Sequence, residues 1–538
     1  MSTYRQKSLR GFDRSLLALC AVALGFSIVY PTVRLVFSAM GHWEWEAVFE
    51  GAGRAAILNT VWMCFASVLA SGIVGTALAF FVARFSFPGR GALAALGYLP
   101  FALPPLAGTL SFYYLIGTDG LFPRWIHSVT AWDTFAIDGP FAILLIHTYS
   151  FSVFFYAMVS ASLEGMDVSQ VEAARTLGAS RWQAFWKVTI PLLKPALLGA
   201  SLLTFMSSGA SFSAPLFFGS DFPYLSVQIY SERTQFHEGA ALTLSVVLGC
   251  VSLLGVLIFR SRQEAVGTAS KGAPRELRSR SGRALAGMAA WAWMLVLLLP
   301  HLNIVWLSLV DHREWYTELV PRAFTFENYT AIFQEEAFRP IRNSLWMSVV
   351  AAAGTMAIGL PAAYLSGRRR PGGQWVNVLV MIPWALPGTV VGMNLISSFN
   401  DPWLPLYNTV LILPLAYFVR FVPLWTRIAT ASVTQFDASL IEAGQTLGAS
   451  RWFCFRRLVA PLMAPALVAA TALVFASCLG EFVTTILLYT PGNLPIGIRI
   501  YHEWRGAGVG SAFAYSVFLM VLVTVTFGFT RRFASRTI

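Results

Sequence analysis

Runs of about twenty apolar residues recur from one end of this chain to the other, and that spacing leaves few folds open. A helix needs about 20 residues to cross the ~30 Å hydrocarbon layer of a bilayer. Lipid offers the backbone no hydrogen-bond partners, so such runs must be helical. Twelve spans are expected, near 15–37, 56–83, 92–116, 140–162, 195–217, 240–260, 286–310, 343–366, 376–399, 407–430, 465–489 and 510–530. Only 12% of the 538 residues are charged, against 56% hydrophobic. A water-soluble protein of this size could not cover its surface with so few charges. The expected class is an all-α integral membrane protein. The first apolar run is too long for a signal-peptide core and is read as a retained span.

The net charge of +12 would suggest nucleic acid in a soluble protein. Here it matches the basic bias of cytoplasmic loops, and no nucleic-acid partner is expected. Arg5, Lys7, Arg84, Arg90, Arg175, Arg181, Lys187, Arg278, Arg368, Arg369, Arg370, Arg451, Arg456, Arg457 and Arg531 mark one side. Glu44, Glu46, Glu50, Asp119, Asp133, Glu314, Glu318, Glu335 and Glu336 mark the other. Both termini are thus expected in the cytoplasm. Five isolated cysteines without paired spacing suggest neither a disulfide nor a metal site.

The chain is also a tandem repeat. Residues 172–182 read EAARTLGASRW and 442–452 read EAGQTLGASRW, an offset of 270. Pro191 and Pro195 recur as Pro461 and Pro465. Fainter echoes pair Asn59-Thr60-Val61-Trp62-Met63 with Asn343-Ser344-Leu345-Trp346-Met347, and Pro100-Phe101-Ala102-Leu103-Pro104 with Pro383-Trp384-Ala385-Leu386-Pro387. Two parallel six-helix units are expected, at 1–260 and 286–538, joined by a polar linker at 261–285, with a pathway between them.

The repeated segment predicts a helix–turn–helix knob after the fourth span of each unit. Asp167 reads as an N-cap with Gln170 as its capping-box partner, and Gly178 as a left-handed C-cap. Ser180 and Gln183 start a second short helix, which Pro191 and Pro195 should end before the fifth span. Gly448, Ser450, Pro461 and Pro465 repeat the pattern. A single such loop could be an amphipathic helix lying on lipid. Two near-identical copies fit a docking role better. Small Ala173, Ala174 and Gly178 would let a partner's backbone approach, and Glu172 and Glu442 would each offer it a carboxylate.

At these residues the chain resembles the permease subunits of binding-protein-dependent ABC importers of type I fold, whose knob carries E-A-A-x(3)-G-x(9)-I-x-x-P. Glu172, Ala173, Ala174, Gly178 and Pro191 match, with Val188-Thr189-Ile190 replacing the isoleucine region. In the second copy, spanning 433–464 as the first spans 163–194, Glu442, Ala443 and Gly448 match. Gly444 replaces the second alanine, a change that weakens a helix by up to about 1 kcal/mol. The resemblance implies that each knob docks on one subunit of an ATPase homodimer and that a periplasmic binding protein delivers the solute across the bacterial inner membrane. No G-x-x-x-x-G-K-[ST] occurs here; Lys271 lies in TASKGA. ATP is therefore expected on a separate subunit, and no cofactor or metal in this chain. The fused form resembles ferric-iron and thiamine permeases, with polyamine and phosphonate systems more distant.

Ionisable residues at membrane depth suggest function. Arg420 and Glu481 are pathway candidates that could pair or line the route, though Arg420 could instead snorkel or pack. Their first-unit positions at the same offset are Ser150 and Ser211. His147 and Tyr149 could line the path or satisfy interhelical hydrogen bonds. An ion-coupled secondary transporter is the rival class, with Glu481 as its one candidate acid. An intramembrane enzyme has no recognisable site.

Overall fold

The apolar runs fold as helices in the computed structural model, which describes residues 2–130, 136–259, 275–276, 280–315, 318, 320–321, 323–437, 439–506 and 508–534. The expected linker falls outside these except for 275–276 and 280–285, and so does Asp133. Among the described residues, ten helices are long and apolar enough to cross a membrane: Asp13–Gly41, Gly51–Arg84, Gly139–Glu164, Arg181–Gly209, Glu238–Ile258, Ser281–Leu309, Glu335–Gly367, Ile412–Gln435, Arg456–Leu479 and Val509–Phe529. Up to twelve result if two bent pairs each count as one span.

Those bent pairs correct the spans expected at 92–116 and 376–399. Arg90–Ala102 meets Pro105–Thr130 at 104°, and Gly373–Ala385 meets Gly388–Phe399 at 108°. Proline placement is the cause. Prolines 100, 104 and 105, and 383 and 387, remove backbone donors and crowd the preceding turn. The P-F-A-L-P and P-W-A-L-P echo thus marks an elbow in each repeat.

The fifth and eleventh spans also differ from expectation. Pro191 and Pro195 do not end the second knob helix. It runs on as Arg181–Gly209 through a wide π-turn at Phe185–Thr189, where Ile190 N–H bonds the Phe185 carbonyl. The widened turn accommodates a proline in the next position without a break. The span then stops at Gly209, and its counterpart at Leu479, ahead of the expected ends at 217 and 489. Each repeat continues with a pair of short helices: Ser213–Phe218 and Leu225–Thr234, then Thr485–Leu488 and Ile496–Arg505.

The other sequence echo holds these short helices in place. Asn59 Nδ2 donates to the Pro223 carbonyl (3.1 Å), and the Thr60 hydroxyl accepts from Leu225 N–H (2.9 Å). Asn343 Nδ2 donates to the Leu494 carbonyl (3.0 Å), and the Ser344 hydroxyl accepts from Ile496 N–H (2.8 Å). Each pair satisfies backbone groups that have no partner within their own short helix.

Two compact units result. One comprises Met1–Trp43, Glu238–Val246 and Phe326–Ile538; the other Glu44–His237 and Val247–Thr325. Each sequence repeat therefore leaves its first helix in the other unit. In the first unit, Arg34 pairs with Asp401 (3.0 Å), Tyr30 OH donates to the Ser398 carbonyl (3.3 Å), and the Phe26 and Phe399 rings lie 5.3 Å apart. In the second, Ser111 Oγ donates to the Pro300 carbonyl (2.8 Å), and Asn303 Nδ2 donates to the Ser111 carbonyl (3.0 Å).

Candidate coupling knobs and pathway clusters

Both knobs form as helix–turn–helix elements. The helices Val168–Thr176 and Ser439–Thr446 start at Asp167 and Asp437, whose carboxylates accept the N–H of Ser169 (3.0 Å) and Ser439 (2.9 Å). The cap thus uses Ser169 rather than the expected Gln170. Bonding to the Ser439 N–H and hydroxyl holds the Asp437 carboxyl below its usual range. Gly178 and Gly448 take left-handed conformations (φ +89° and +85°), closed by Ala179 N–H on the Ala174 carbonyl and Ala449 N–H on the Gly444 carbonyl (both 3.0 Å). Ser180 and Gln183 make the reciprocal capping box expected of them.

The residues singled out for docking divide by exposure in the same way in both copies. Glu172, Ala173 and Gly178 are exposed, as are Glu442, Ala443 and Gly448, while Ala174 and Gly444 turn partly inward. Sequence reasoning passed over the most exposed apolar residues of the knobs. Leu177 and Leu447, at the tips, are each 88% exposed. The available signal was a leucine in both copies beside a turn glycine, where no core could receive it.

Arg420 and Glu481 do come together. Arg420 Nε lies 3.8 Å from Glu481 Oε1, and Arg420 Nη1 donates to the Leu386 carbonyl at the second elbow (3.4 Å). Glu481 sits just past the end of its span rather than within it. Its Oε1 accepts Thr484 N–H (3.0 Å), and its Oε2 accepts Thr485 N–H (3.1 Å) and the Thr485 hydroxyl (2.8 Å). The Thr485 hydroxyl also meets Tyr417 OH (3.0 Å), and the Thr484 hydroxyl donates to the Gly388 carbonyl (3.0 Å).

His147 and Tyr149 belong to the other unit. His147 Nδ1 meets the hydroxyls of Ser67 (2.9 Å) and Ser208 (3.3 Å), and Nε2 meets Ser211 (2.9 Å). Tyr149 OH donates to the Leu297 carbonyl (2.8 Å). Both are buried. Both imidazole nitrogens of His147 and the Tyr149 hydroxyl thus bond groups on other segments of the same unit. His147 and Tyr417 occupy the same repeat position, as do Ser211 and Glu481. Each unit therefore builds a polar cluster from the same two places, of imidazole and hydroxyl groups in the first repeat and of hydroxyls with a carboxyl in the second. Among the described residues, no group of three or more His, Cys, Asp or Glu side chains could hold a metal ion.

The family model for the inner membrane component of binding-protein-dependent transport systems matches residues 75–269 and again 356–538. A probable ABC transporter permease of Sinorhizobium fredii is 29% identical, over 83% of this chain and 81% of its own. A ferric transport system permease of Actinobacillus pleuropneumoniae is 26% identical over 93% of this chain and 75% of its own. The sulfate transport system permease of Escherichia coli is 30% identical over 47% of this chain and 91% of its own.

Proposed function

The chain belongs to the family of inner membrane components of binding-protein-dependent transport systems, and from that premise we propose that it forms the whole translocation pathway of an ATP-driven importer and couples to separate ATPase subunits through its two knobs. It is a multi-span ABC importer permease with two family repeats in one polypeptide, and its relatives are transport permeases rather than enzymes. The observation that carries the coupling role is the duplicated knob geometry. Two capped helix–turn–helix elements expose the same glutamate and the same leucine. A structure that merely rested on lipid would not need a carboxylate at both copies.

In this reading both termini and both knobs face the cytoplasm, as the Lys/Arg distribution favours. The ATPase is a homodimer, one subunit per knob, and closes on ATP so that the knobs draw together and the pathway opens outward. A periplasmic binding protein delivers the solute. Ferric iron is the favoured cargo, because ferric permeases align with almost the whole fused chain while sulfate and 2-aminoethylphosphonate permeases align with about half of it. The Glu481 carboxylate has three local donors and a cationic neighbour, which speaks against its acting as the proton- or sodium-coupling acid of a secondary transporter.

Affinity purification of the tagged chain from its native membrane tests the coupling role. The expected result is co-recovery of a nucleotide-binding subunit at two copies per chain. Recovery of the intact chain with no such subunit would contradict it.

A further inference from the structure

We propose that Arg420 recognises an oxyanion group on the passing cargo, so that the species transported carries a carboxylate, phosphate or similar two-oxygen face; this rests on the importer reading. A guanidinium presents five N–H donors in a rigid fork. Arg420 leaves most of that fork unused. Nη1 makes one long bond to the Leu386 carbonyl (3.4 Å), and Nε is buried without a hydrogen-bond acceptor, so any access to the guanidinium is at its Nη end. At 3.8 Å from Nε, Glu481 lends opposite charge but no hydrogen bond. Its oxygens are already taken by Thr484 and Thr485.

Access is unequal within the pair. The Arg420 side chain is 22% exposed and that of Glu481 only 3%. The cation is thus the more accessible member of the pair. Arg420 lies eight residues into the helix Ile412–Gln435, about 12 Å along it. Its neighbour Leu386 sits at the elbow between Gly373–Ala385 and Gly388–Phe399. Irregular backbone at that depth is stable where protein buries it or where it lines a wet cavity. A cation held at that depth, with one long bond for its five donors, is arranged for a bidentate anion at its Nη end. Ser150 and Ser211 stand at the matching first-repeat positions, so the first repeat supplies no counterpart to this cation there. A bare trivalent metal ion would be repelled from it. A ferric cargo would pass with an oxyanion ligand attached.

The full-length chain in maltoside micelles, which contain no phosphate, provides the test. Its thermal unfolding midpoint is followed against sulfate, with chloride at matched ionic strength as control, in wild type, Arg420→Gln, Arg420→Lys and Glu481→Gln. Wild type should show a saturable rise with sulfate over chloride. Arg420→Gln should lose it, and Arg420→Lys, which keeps charge without the fork, should bind more weakly. Glu481→Gln removes the competing carboxylate but keeps an acceptor for Thr484 and Thr485, and should respond at about tenfold lower sulfate. A merely structural ion pair would instead fail alike in both partners' variants. The same sulfate response in all four proteins, equal loss in the Arg420→Gln and Glu481→Gln variants, or stabilisation by added phosphatidylglycerol but not by sulfate would overturn the proposal. No ATPase or nucleotide enters the assay, so its outcome is separate from that of the coupling experiment.

Discussion

Gly444 and Cys454 share one space: a Cβ added to Gly444 would lie 2.9 Å from Cys454 Sγ. The same two positions in the first knob hold Ala174 and Ala184. The second knob has moved a side chain's bulk from one helix to the other. Its departure from the E-A-A pattern is therefore compensated rather than a defect.

Gly444→Ala alone should consequently lower stability. It gains about 1 kcal/mol of helix propensity but overpacks against Cys454, at a cost of about 1–3 kcal/mol. The double variant Gly444→Ala/Cys454→Ala should recover wild-type stability or exceed it. Thermal unfolding of the purified chain, together with protease sensitivity at the knob, measures both. Additive effects would mean that the two sites do not share space.

The exposed tips predict an affinity effect. Burying a leucine side chain at a partner contributes about 1.5–3 kcal/mol. Leu177→Ala and Leu447→Ala should each weaken ATPase binding by roughly tenfold, leaving the thermal stability of the isolated chain unchanged because neither residue packs within it. Surface-immobilised permease titrated with ATPase gives the constants.

Acid should loosen the second knob in a defined window. The folded-state pKa of Asp437 is depressed by its bonds to Ser439. Its stabilisation is therefore present above the unfolded value, about 3.9, and is lost as pH falls through the folded value. Hydrogen exchange in 439–446 should accelerate only below about pH 4 and should lose that pH dependence in Asp437→Asn. Acceleration already at pH 6 would assign the cap elsewhere.

The exchanged first helix predicts dependence of the second repeat on residues 1–43. Its anchors are the Arg34–Asp401 pair, the Tyr30 bond to Ser398, and Leu17 packed so closely that a Cβ on Gly372 would lie 2.8 Å from its methyl groups. A fragment spanning 281–538 should be degraded when expressed alone and rescued when 1–43 is co-expressed. Equal steady-state levels with and without that helix would contradict the assignment.

Much of this architecture is legible in the residues, and the misreadings share a cause. Apolar runs locate spans because burial in lipid depends on composition. They do not locate breaks, because a broken span is as apolar as a straight one; only the paired prolines at 100 and 104, and at 383 and 387, carried that information. Pro191 misled in the opposite direction, because it stands in the first turn of an α-helix that continues from a π-turn, and Pro195 is carried inside that helix without ending it. The knobs were legible because caps and turn glycines act locally. The partner of Arg420 was legible as a possibility alone, since pairing depends on how three separate segments meet. The exchange of first helices left no local signature at all.

The most direct test of the coupling role is charge reversal at both knobs. Glu172→Lys/Glu442→Lys permease, reconstituted with its ATPase and binding protein in proteoliposomes, should transport roughly tenfold less solute per ATP hydrolysed than wild type, because like charges at a docked interface are strongly repulsive. A solute-to-ATP ratio equal to that of wild type would contradict the role assigned to the knobs.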